Sequence, residues 1–150
     1  MLQNESEQNF SNIEVDLKLI KLFAEKIGEK YSFIISIYLF GSAARGNANK
    51  ESDIDLFILI KGNPTEKFLT LSNDEDYKNL EDWSFNIVEG GLSPLICNKK
   101  ELVNDFDTLL NKILKEGIRL YGANFDKILS PVPRKKRKNK SHLLEIVRSL

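Results

Sequence analysis

Two aspartates, Asp53 and Asp55, stand two residues apart at the start of a short apolar run, Ile54–Ile60 (IDLFILI). A run of that length, rich in β-branched and aromatic residues, predicts a buried strand. On a strand, residues i and i+2 face the same side, roughly 6.6–7 Å apart along the chain. Two carboxylates aimed at one point repel each other and are costly to desolvate. They suit a hard divalent cation, which takes oxygen donors and keeps water or substrate phosphate oxygens in its other positions. The bland alternative is that both aspartates cap a turn. That serves for Asp53, in Ser52-Asp53, better than for Asp55, which lies between Ile54 and Leu56 and needs a partner.

Gly41-Ser42 follows directly on a second apolar run, Phe33–Phe40 (FIISIYLF). Glycine admits backbone conformations closed to other residues and lets the main chain approach a ligand. Successive N–H groups in such a turn form an anion-binding concavity, and the Ser42 hydroxyl adds a donor. Alone, Gly-Ser is no more than a loop; ten residues before Asp53 it gains meaning, because phosphate donors and cation ligands would meet. Arg45 carries a planar fork suited to phosphate, against the alternative of a solvated loop arginine.

The elements that must position these residues are legible from the hydrophobic period. Ile13, Leu17, Ile20, Ala24 and Ile27 recur at helical spacing and predict a helix ending near Gly28. Gly41–Ser52 has loop composition, and Lys61-Gly62-Asn63-Pro64 stops the second strand. The polar region Thr65–Trp83 is expected to be helical. Leu92–Cys97 reads as a third strand after the Gly90-Gly91 turn, and its Pro94 suits an edge. Glu101–Leu114, with Leu102, Phe106, Leu109, Leu110 and Ile113 on one side, predicts a helix stopped at Gly117, followed by an extended Ile118–Gly122. Pro131 and Pro133 then interrupt the chain, and Ser141–Leu150 is expected to form a last short helix. The fold class is α/β (α+β), a small mixed sheet flanked by helices. The expected organisation is a flexible stretch over 1–11, one domain over 12–130 and a basic tail over 131–150.

The 150 residues are enough for one core, and 41% hydrophobic with 29% charged residues is ordinary for a globular protein. No apolar run is long enough to span a bilayer, and MLQNESEQNF lacks the features of a secretory signal. Cys97 is the lone cysteine and His142 the lone histidine, which excludes a zinc site; a cytoplasmic location is the default. Cys97, Tyr38 and Tyr121 are expected to pack, Trp83 to be a partly buried anchor and His142 to be solvated. The zero net charge is uneven: residues 1–133 carry −6, and residues 134–150 carry +6, mostly in Arg134–Lys140. That basic run could make a weak nucleic-acid contact, fold back on the acidic body, or simply be solvated.

The string LFGSAARGNANKESDIDLFIL resembles the signature of the minimal nucleotidyltransferases, within the DNA polymerase β-like superfamily. Gly41-Ser42, residues 43–52 and Asp53-Ile54-Asp55 match it without a gap, and Leu114–Gly122 (LKEGIRLYG) is similar to the segment that closes many such domains. The resemblance implies transfer of a nucleoside monophosphate from ATP or another NTP to a hydroxyl of a protein or small molecule. It implies that Asp53 and Asp55 are catalytic and hold Mg²⁺, while Gly41 and Ser42 hold the triphosphate and Arg45 assists. Many such short proteins are antitoxins paired with an all-α HEPN-type toxin that they nucleotidylate, so a partner protein is the expected acceptor.

One part of the pattern is missing. The superfamily usually supplies a third carboxylate from a later strand, helping to activate the attacking hydroxyl. Here the aligned position is Ser93, and Glu89 is the nearest acid. Loss of a general base typically costs about 10²–10⁴-fold in rate. The alternative expectation is therefore a weak or inactive module that binds nucleotide or neutralises a partner by contact.

Overall fold

The computed structural model describes residues 11–105 and 107–124. The expectations for 1–10, for Phe106, for the tail with Arg134–Lys140, for His142 and for a helix over Ser141–Leu150 fall outside the described residues.

Ten elements follow one another: α1 (Leu17–Lys30), β1 (Ile34–Phe40), α2 (Gly41–Arg45), β2 (Ile54–Ile60), α3 (Pro64–Ser72), α4 (Glu75–Ile87), β3 (Leu92–Cys97), α5 (Lys99–Asp105), α6 (Asp107–Glu116) and β4 (Ile118–Gly122). The strands form one four-stranded mixed sheet in the order β3-β2-β1-β4. β1 runs antiparallel to both β2 and β4, whereas β2 and β3 are parallel. A parallel pair needs a long crossover, and α3 with α4 supplies it. Pro94 lies on the edge strand β3, where the missing N–H can face away from the ladder.

Alternation along β2 sorts its side chains onto two cores. Ile54, Leu56, Ile58 and Ile60 join Ile20, Ala24 and Ile27 of α1 and Tyr77 and Leu80 of α4. Phe57 and Leu59 join Tyr38, Cys97, Leu102, Leu110 and Ile113, so α5 and α6 cover the opposite face. Asp55 shares the face of Phe57 and Leu59 by the same alternation, which places it on the α6 side of the sheet.

Several helix limits differ from the sequence expectation, each for a local reason. α1 begins at Leu17 because Asp16 caps it, accepting from the Leu19 N–H at 3.1 Å. Ile13 instead donates its N–H to the Ala48 carbonyl at 2.8 Å. The helix expected over Thr65–Trp83 is two helices. Asn73-Asp74 divides them, with the Asp74 carboxylate accepting from the Tyr77 N–H at 3.1 Å as the cap of α4. α5 starts before Glu101 because Asn98 and Glu101 form a reciprocal capping box, at 3.0 Å and 3.3 Å. Gly41–Arg45, expected as loop, is one helical turn closed by Gly46 in the left-handed region at φ +82°. Cys97 and Tyr38 are core residues, and Tyr121 and Trp83 pack partly buried against the core. The Cys97 thiol is buried and is pushed up to about 12 by burial and by Glu101. Among the described residues no helix is long and apolar enough to cross a membrane.

Candidate active site

The sheet register brings the two motif halves together. Phe40, the last residue of β1, pairs with Asp55 near the start of β2, so the chain leaving β1 turns directly beside the Asp55 carboxylate. The first residue of that turn is Gly41, at φ +72°. A Cβ at Gly41 would collide with Asp55 Oδ2, so glycine is required there both by conformation and by space. Gly41 and Ala43 are buried and Ser42 is half-buried. The Ser42 carbonyl accepts from the N–H groups of Gly46 and Asn47, which closes the turn.

The loop between the halves is held internally. Ser52 Oγ accepts from the Asn49 N–H at 2.9 Å, and Asn49 Oδ1 accepts from the Glu51 N–H at 2.8 Å. This loop delivers Asp53, exposed, to the Gly90-Gly91 turn, where a Cβ at Gly90 would collide with Asp53 Oδ1. The Ile54 N–H donates to the Gly91 carbonyl at 2.8 Å, locking turn and strand together. Gly90, read from the sequence only as part of a turn, is therefore a second position where a carboxylate needs a missing side chain.

Asp55 is half-buried. Burial is the largest influence on its carboxyl and raises its pKa above the ordinary 3.8; the charge of Asp53 raises it further. Lys112 and Arg45 act in the opposite direction, and Glu116 adds to the rise. Among the described residues neither the Asp53 nor the Asp55 carboxylate accepts a hydrogen bond or forms an ion pair. Two like charges held together without donors form a donor set suited to a hard cation. Among the described residues no group of three or more His, Cys, Asp or Glu side chains converges. A cation at this place would draw two oxygens from the protein and the rest from phosphate and water.

Ser93 pairs with Asp55 in the parallel ladder, on the same side of the sheet. The position expected to carry a third acid is thus beside Asp55, and it carries a hydroxyl. Glu89 is exposed in the preceding turn, its N–H donating to the Lys50 carbonyl at 2.7 Å. Arg45 reaches the site's edge in an ion pair, its Nη1 2.9 Å from Glu116 Oε2.

Sequence reasoning missed Lys112 and Glu116. They sit one turn apart on α6, whose sequence was read for its apolar face alone. A lysine four residues before a glutamate is a weak local signal, and only the packing of α6 on this face of the sheet brings both to act on the Asp55 charge.

A family model described as a nucleotidyltransferase domain matches residues 20–121. No curated protein matches the chain by sequence. The spectinomycin adenyltransferase of Enterococcus faecialis, solved with ATP and spectinomycin, shares the fold at a TM-score of 0.50, with 15% identity over 74% of this chain and 57% of that one. A chain of the tri-AMPylated Shewanella oneidensis HEPN toxin in complex with MNT antitoxin aligns at a TM-score of 0.48, with 18% identity over 89% of this chain and 94% of that one. A toxin–antitoxin structure with AMP-PNP aligns at 0.49, with 14% identity over 90% and 86%.

Proposed function

Because the chain belongs to the nucleotidyltransferase domain family, we propose that it transfers the nucleoside monophosphate of an NTP, ATP foremost, to a hydroxyl of a partner protein. Asp53 and Asp55 hold a Mg²⁺ or Mn²⁺ ion in this reading. Gly41 and Ser42 offer N–H groups and a hydroxyl to the triphosphate, and Arg45 offers its fork. The acceptor hydroxyl gives up its proton to water as its oxygen forms a bond to the α-phosphorus, the bond from that phosphorus to the bridging oxygen breaks, and pyrophosphate leaves. When bound, the ion supplies charge neutralisation to the attacking and leaving oxygens.

The observation that carries this reading is the Asp55 carboxylate, packed against Gly41 and lacking any donor among the described residues. A carboxylate kept so at the mouth of a strand is compensated by a ligand. The exposed rim at Asp53 supports an acceptor presented by a macromolecule, and an all-α HEPN-type toxin encoded beside this chain is the partner we propose. ATP labelled on the α-phosphate, incubated with Mg²⁺, the chain and the product of the adjacent gene, tests it. Label is expected on the partner with the wild type and is expected to vanish with Asp53→Asn plus Asp55→Asn. Label that survives the double substitution sinks the reading.

Ser93 favours a second reading, a module that binds nucleotide with little turnover. No carboxylate stands beside Asp55 on β3 to take the acceptor's proton. Under this reading Ser93→Asp raises the transfer rate, by about 10²-fold if a missing general base is the cause. An unchanged rate removes it.

A further inference from the structure

α6 covers the sheet face that carries Asp55, and it brings two charged side chains to the Asp55 end. Glu116 Oε2 lies 2.9 Å from Arg45 Nη1, and Glu116 Oε1 lies 3.8 Å from Lys112 Nζ. Both carboxylate oxygens are thus turned to cations that come from different elements. The glutamate is largely covered, with 17% of its side chain exposed, whereas the two cations are 43% and 48% exposed. Lys112 Nζ is also 6.0 Å from the centroid of the Phe40 ring, and Phe40 is the ladder partner of Asp55. Two cations and one covered carboxylate therefore gather at the Asp55 end of the sheet, beside the strand that leads into the Gly41 turn.

Ion pairs whose cations are this exposed contribute little to stability in water. They are readily exchanged for a better anion, and a polyphosphate is one: it carries more charge and matches the guanidinium fork with two oxygens. We propose that Arg45 and Lys112 together grip the β- and γ-phosphates of the nucleotide, and that Glu116 is a carboxylate stand-in that occupies both cations until the polyphosphate displaces it. The inference rests on the nucleotide reading of the site and extends it to α6, outside the Gly-Ser to Asp-x-Asp segment. Both cations already act on the Asp55 carboxyl while Glu116 opposes them, so the three side chains share its field.

Calorimetric titration of the full chain with ATP and with AMP, both in Mg²⁺, tests the proposal. Lys112→Met is expected to weaken ATP binding about tenfold and AMP binding by no more than about twofold, because AMP lacks the two outer phosphates. Lys112→Arg is expected to retain most of the ATP affinity. Glu116→Gln is expected to tighten ATP about threefold by removing the competitor, and to give no gain once Arg45→Met and Lys112→Met are both present. Thermal melts of each variant exclude a folding defect. The proposal is overturned if Glu116→Gln leaves ATP affinity unchanged or lowers it. It also falls if the gain persists without the two cations, or if Lys112→Met weakens ATP and AMP equally. A wild type that binds no ATP overturns the nucleotide reading itself, an outcome distinct from failure of the stand-in alone.

Discussion

Asp74 and Asp55 are both withdrawn from water, and their surroundings differ in the one respect that matters for a charge. Asp74 is 5% exposed, yet it accepts from Lys30 Nζ at 2.6 Å, from the Tyr31 hydroxyl at 2.8 Å and from the Tyr77 N–H at 3.1 Å. Burial pushes its carboxyl up, but these three hydrogen bonds outweigh that and hold it below the ordinary 3.8. Lys30 is in turn raised by its hydrogen bonds to Asp74 and Asp76. Asp55 has a like-charged neighbour in place of donors and is held above 3.8, first by burial and then by Asp53. The joint between α1 and α4 brings its own compensation, as a structural carboxylate must. The mouth of β2 does not, and in the proposed reading its compensation arrives with a ligand.

That contrast can be broken by substitution. The largest effect is expected from Asp55→Asn, which should lower nucleotidyl transfer at least about 100-fold by removing charge from the reacting site. Its melting temperature should hold or rise, because a half-buried charge without donors is gone; a chain that unfolds would show Asp55 to be structural. Asp74→Ala should do the reverse. Loss of the α4 cap and of the partner of Lys30 and Tyr31 is expected to cost about 2 kcal/mol. The melting temperature should then fall by roughly 5–10 °C, with little change in transfer per folded molecule.

Smaller effects sharpen the same comparison. Gly41→Ala and Gly46→Ala both place a side chain at positive φ, at +72° and +82°, but only the first meets another atom. Backbone strain should cost each about 1 kcal/mol. The further loss in Gly41→Ala, read by denaturant unfolding, measures the collision with Asp55 and should shrink when Asp55→Ala is added.

The smallest effect is the pH dependence of stability in EDTA, where the two aspartates should act with opposite sign. Asp74 has a lowered pKa, so its contribution is present above the unfolded value of 3.8 and is lost as pH falls through the folded value. Asp55 has a raised pKa. Its contribution is complete below 3.8 and is lost as pH rises through the folded value. Relative to wild type, Asp74→Asn should be destabilised and Asp55→Asn stabilised at neutral pH. Both differences should fade in acid, and two differences of one sign would refute the contrast.

The candidate site could be proposed from the sequence because its four positions, Gly41, Ser42, Asp53 and Asp55, lie at a fixed spacing, and the antiparallel pairing of β1 with β2 brings Gly41 against Asp55. An acid inside IDLFILI is a conflict between local pattern and chemistry, and such conflicts mark function. The two central strands and the edge position of Pro94 were legible for the same reason, as strong local signals. The rest depends on contacts between distant residues. Lys30 and Asp74 are 44 residues apart, and Arg45 and Glu116 are 71 apart, so no window along the chain reveals either pair. The break at Asn73-Asp74 was hidden because its cap is a single side chain in an otherwise acidic helical stretch.

The central claim is that Asp53 and Asp55 make nucleotide binding depend on a divalent cation. It is tested most directly by titrating ATP into the full chain with Mg²⁺ and with EDTA, for the wild type and for Asp53→Asn plus Asp55→Asn. The wild type should bind ATP more tightly with Mg²⁺ than with EDTA, and the double variant should lose that difference. Equal binding by the wild type in the two conditions, or a Mg²⁺ effect that survives in the double variant, would contradict it.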